Sequence, residues 1–131
     1  MFTGQAHAAV ALCREALPVF RRMGAQKNEA ITLTRLGCAR RALSDVDRAA
    51  DHLRQALTLA RDIGAALEEI QARRALGVCE FERGRPAAAV RHLTAAIEAA
   101  RRLQAAEEEA GAEEDLERIR TRVIEFDRLR L

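Results

Sequence analysis

Tryptophan and tyrosine are absent from the 131 residues, and four phenylalanines supply all the aromatic side chains. Sandwiches and barrels draw on aromatic and β-branched residues for their strands, so this scarcity argues against most all-β folds. Proline occurs twice and glycine seven times, too few for a collagen-like or low-complexity chain. No stretch approaches the roughly 18 consecutive apolar residues of a membrane helix. The N-terminus also lacks the charged-then-apolar pattern of a secretory leader. Cys13, Cys38 and Cys79 are odd in number and widely spaced, which suits neither a disulfide framework nor a zinc site. Reduced thiols inside a cytoplasmic protein are the expectation. A Gly-rich phosphate loop, a His-Glu-x-x-His pair and a Cys-x-x-Cys pair are all missing, so no catalytic, cofactor or metal site is expected.

What is abundant points one way. There are 28 alanines and 21 arginines against a single lysine, Lys27. Alanine, leucine, arginine and glutamate are strong helix formers, so the composition predicts an all-α fold. The arginine and alanine excess also suggests a GC-rich bacterial genome. Net charge is only +2, which does not by itself point to nucleic acid or an anionic membrane. The charge is unevenly spread, however. Residues 1–104 hold 17 basic and 11 acidic side chains, and residues 105–131 hold 5 and 9. The arginine-rich first part leaves nucleic-acid binding as an alternative reading, weakened by its interspersed acids and by the lack of a recognition-helix motif.

The chain repeats itself every 40 residues. Leu36-Gly37 aligns with Leu76-Gly77, and Leu116 falls on the same register. Ala9, Ala49 and Ala89 align, as do Arg21, Arg61 and Arg101, and Met23, Ile63 and Leu103. Gly24 matches Gly64 and Gln104, and Gly4 matches Ser44 and Gly84, with no gap needed. His52 and His92 share a register too. Equivalent positions of stacked helices lie roughly 10 Å apart, too far to share one metal ion, so solvent-facing positions are the expectation for both.

Each period reads as two amphipathic helices. Val46, Ala49, Ala50, Leu53, Ala56, Leu57, Ala60 and Ile63 follow 3-and-4 spacing. Gly64 and Gly84 supply stops, since glycine takes up the left-handed C-cap conformation freely. Pro86 fits a first helical turn, and Asp45 precedes a helix where a side-chain cap is useful. Pro18 falls within a helix and predicts a kink. The pattern predicts helices near 5–23, 26–43, 46–63, 66–83, 86–104 and 106–129, joined by short turns as antiparallel neighbours.

Small residues at these fixed places resemble the tetratricopeptide repeat. Its signature pairs Leu-Gly in a first (A) helix with Ala and a large apolar residue in a second (B) helix. Here Leu36-Gly37 is followed by Ala49, Leu53 and Ala56, and Leu76-Gly77 by Ala89, Leu93 and Ala96. A HEAT-like solenoid of similar period lacks this register. The usual repeat is about 34 residues, and the family's aromatic and terminal proline are replaced by Arg40 and Arg61. The longer spacing is similar to that of the repeat regions of bacterial transcriptional regulators. The resemblance implies one right-handed α-solenoid domain over 1–131: a half repeat at 1–24, repeats at 25–64 and 65–104, and a capping or extension helix at 105–131.

It implies function as well: a non-enzymatic, cytoplasmic module that binds a protein or peptide segment, self-associates, or both. A helices would line the concave face, making Thr34, Arg41, Gln71, Arg74, Phe81, Glu82, Arg118 and Arg122 candidates for peptide binding. Arginines there would pair with ligand carboxylates, and Phe81 would supply an apolar anchor. Members that grip a C-terminal carboxylate use lysine and asparagine in the first A helix. Thr34 and Cys38 occupy those places, so that mode is not expected. At the two ends, Val10, Leu17 and Phe20 and then Phe126, Leu129 and Leu131 are expected on uncovered surfaces, where solenoid ends invite association. A homodimer through these residues is the expectation.

Overall fold

The computed structural model describes residues 2–130. Six helices follow one another: α1 Thr3–Met23, α2 Gln26–Ala42, α3 Val46–Asp62, α4 Ala66–Glu82, α5 Pro86–Leu103 and α6 Ala106–Leu129. They lie within one or two residues of the sequence-based boundaries at every end. Each helix packs on the next, as turns this short require. The even helices also approach one another closely, α2 to α4 and α4 to α6, whereas the backbones of α1, α3 and α5 stay farther apart among the described residues. A stack in which one layer closes up and the other fans out is curved. The even, A-type helices line its inner face.

The turns follow a stricter rule than the sequence pattern foretold. Gly24, Ser44, Gly64, Gly84 and Gln104, one in every twenty residues, all have positive φ. At each turn the next residue's N–H donates back into the helix just ended: Ala25 to Phe20, Asp45 to Arg40, Ala65 to Ala60, Arg85 to Glu80 and Ala105 to Ala100, all at 2.9 Å. This is a Schellman-type closure, which satisfies carbonyls left over at the helix end. Pro86 opens α5 as expected. Asp45 makes no side-chain cap; its carboxylate instead lies 3.7 Å from both Arg40 and Arg48. α1 continues through Pro18 as one helix.

Two glycines set how closely the helices approach. A Cβ on Gly37 would stand 2.5 Å from Leu53 Cγ and 3.2 Å from the Ala49 carbonyl, and one on Gly77 would stand 2.9 Å from Leu93 Cγ. Leu53 and Leu93 are therefore knobs seated in notches that exist only because a side chain is missing. Around the notches run two apolar clusters. One joins Val10, Cys13 and Leu17 to Leu33, Leu36, Leu57 and Leu76. The other joins Ile70, Leu93 and Ile97 to Leu116 and Ile119.

Candidate functional site

The inner face gathers Thr34, Cys38 and Arg41 from α2, Gln71, Arg74, Ala75 and Val78 from α4, and Glu108, Asp115 and Arg118 from α6 around one cleft of about 410 Å³. Five of the eight candidates, Thr34, Arg41, Gln71, Arg74 and Arg118, thus share a site. Glu82 stands beside it, paired with Arg41 at 2.8 Å. Phe81 and Arg122 do not join them. They line a second groove of about 670 Å³, with Gly84, Pro86, Val123, Phe126 and Leu129, where the end of α6 overhangs the α4–α5 turn. The expected groove along the inner face is therefore two clefts. α6 is 24 residues long where α2 and α4 are 17, and its extra turns project beyond the stack.

The arginines of the inner face are already partnered. Arg74 Nε donates to Asp115 at 2.6 Å, and Arg118 lies 3.5 Å from both Glu114 and Asp115. Gln71 donates to Glu108 at 3.4 Å. Lys27 lies 3.6 Å from the buried carboxylate of Glu68. The pairs Lys27–Glu68, Arg41–Glu82 and Arg74–Asp115 each span 41 residues, one period plus one, so each ties an A helix to the next. Asp115 and Glu108 were not foreseen as members of the site, nor was Glu68 as a partner of Lys27. The signal was available once the period was known: a base followed 41 residues later by an acid, three times over.

Gly111 completes the arrangement. The Arg74 guanidinium lies where a Cβ on Gly111 would be, one helical turn before the Asp115 it binds. Cys38, at the cleft floor, has its thiol pushed up by burial, partly offset by Arg41 and Arg74. Such a thiol is a poor nucleophile near neutral pH. Cys79 is fully buried, held to about 11 by burial and by Glu80, and its Sγ donates to the Val46 carbonyl at 3.3 Å.

The end surfaces need correction. Val10 and Leu17 are buried against α2 in the first cluster rather than uncovered, and Phe20 is half-buried. Phe126 and Leu129 are 64% and 86% exposed, and Leu131 lies outside the described residues. His52 and His92 are half-buried rather than solvent-facing. Each sits by the preceding A helix, His52 near Arg40 and His92 near Arg73 and Glu80.

No helix among the described residues is long and apolar enough to cross a membrane. A comparison with curated proteins finds no match. Residues 1–62 match the family model described as tetratricopeptide repeat, a family that generally mediates protein–protein interaction. The notch glycines, the knob leucines and the left-handed turns continue in the same register beyond residue 62, and the fold is an all-α helical repeat of the tetratricopeptide type.

Proposed function

We propose that the protein is a non-enzymatic, cytoplasmic interaction module whose inner cleft receives a segment of another protein. The observation that carries this reading is the convergence of three A helices on one cleft with a small, apolar floor (Cys38, Ala75, Val78) and a charged rim. Because the rim is internally neutralised, a ligand enters by exchange. A carboxylate on the incoming segment takes over Arg74 or Arg118 from Asp115, and a base takes over Glu82 or Glu108. Exchange of this kind gives modest affinity and strong selection on charge order, since an unmatched buried charge is costly. The same neutralisation supplies no support for nucleic-acid binding, which needs uncommitted cations along a phosphate track.

The test compares proteins recovered from a cell lysate by the wild type, by Thr34→Arg, which fills the cleft while removing no member of an ion pair, and by Arg74→Glu. Recovery of a partner by the wild type and its loss in both variants is expected, with helix content unchanged by circular dichroism. Equal recovery by all three rejects the cleft as the site.

Self-association through the end of α6 is a second element of the proposal, favoured by the exposure of Phe126 and Leu129 beside an apolar groove. Sedimentation of wild type against Phe126→Ser/Leu129→Ser checks it; a wild type that stays monomeric at about 0.1 mM removes it.

A further inference from the structure

The outer face of α1 is the place where the register makes a demand that no helix meets among the described residues. Shifted by one period, Leu12 corresponds to His52 and His92, Val19 to Leu59 and Ala99, and Met23 to Ile63 and Leu103. In α3 the first two of these positions meet α2: His52 sits by Arg40, and Leu59 shares a crevice with Leu33 and Glu29. On α1 the same positions are solvent-facing, with Leu12 66%, Val19 40% and Met23 71% exposed. All three are apolar, leucine replacing histidine at the first. A face bearing that stripe is built to be covered.

We propose that this face docks a protein helix of the A type, packed on α1 as α2 packs on α3. The chemistry of the occupant follows from the interface it would continue. It is an amphipathic helix with a leucine seam. Cys13 stands where Leu53 and Leu93 fill the glycine notches, and this smaller knob accepts alanine as well as glycine opposite it. Arg22 replaces Asp62, which lies in the α2–α3 crevice beside Glu29. The occupant therefore carries an acid in its first turn, opposite Arg22. A second copy does not supply it through α6, the last A helix among the described residues. Glu113 and Glu117 stand there where α2 has Leu33 and Gly37, and docking would bury both carboxylates against Ala9 and Cys13. The inference is independent of the inner cleft.

The protein's own α4 has the required chemistry, with Glu68 and Glu69 in its first turn and Leu76-Gly77 midway, so a labelled peptide of residues 65–83 is the probe. Saturable binding to the intact chain is expected, weakened at least about tenfold by Leu12→Glu/Val19→Glu. Both positions are exposed, so these variants keep the wild-type helix content. Thr34→Arg should leave the titration unchanged, which separates this face from the cleft. Absence of saturation, or equal binding by the Leu12→Glu/Val19→Glu variant, overturns the proposal. So does a wild-type dimer that Leu12→Glu dissociates, since the face would then belong to a second copy.

Discussion

Single residues decide this fold where a side chain is absent or a backbone is bent. Gly37 has Leu53 and a carbonyl oxygen within contact distance of any added Cβ, and the backbone cannot give way. Gly37→Ala should therefore lose about 1–2 kcal/mol in urea unfolding, even after the gain of roughly 1 kcal/mol in helix propensity. Gly111→Ala differs in kind, because its obstacle is the movable guanidinium of Arg74. Stability should stay within about 0.5 kcal/mol as propensity gain and the lost Arg74–Asp115 bond offset each other. A clearly cooperative loss equal to that of Gly37→Ala would refute the distinction. Gln104 holds a left-handed conformation at φ 59 where its equivalents Gly24 and Gly64 do so freely. Gln104→Gly should accordingly raise stability by about 0.5–1 kcal/mol, read as a higher denaturation midpoint.

At the scale of helices, the elements were legible and their electrostatic ties were not. Apolar 3-and-4 spacing locates all six helices, and glycine stops end three of them, because burial and capping are local demands. The bonds between helices belong to pairs of positions, which a single column of the repeat does not display. The aligned arginines at 21, 61 and 101 are a case in point: they meet Glu29, Glu69 and Glu109 at 3.1, 3.6 and 3.3 Å, acids that form a matching column eight residues on. The histidines were misplaced for a related reason. His52 and His92 look solvent-facing on their own helix, yet the preceding A helix half-covers them. That burial holds both imidazoles below their ordinary value of 6.5. The unfolded chain thus binds more protons than the folded one as pH falls through 6.5, so stability should decrease on acidification from pH 7 toward pH 5. Replacing both histidines with glutamine should flatten that part of a stability–pH profile, and an unchanged slope would exclude them as its cause.

For the whole molecule, the curvature and the division of labour between faces follow from which helices touch. The inner cleft was half legible: Thr34, Arg41, Gln71, Arg74 and Arg118 come together as the register implies. Phe81 and Arg122 fall elsewhere because α6 outruns α4 and opens a separate groove. The left-handed turns carry a consequence for inheritance. Since they recur at twenty-residue intervals and every helix meets its neighbours through equivalent positions, the chain behaves as an assembly of interchangeable cassettes. Excising Asp45 through Gly84 joins Ser44 to Arg85, turn to turn, and seats Leu93 in the Gly37 notch where Leu53 had been. This four-helix chain should remain helical and melt cooperatively at a lower temperature, whereas excising 45–74 should abolish the cooperative transition in circular dichroism. Length in such a protein can change by whole periods without redesign, so gain or loss of 40 residues is a small evolutionary step and loss of ten a large one.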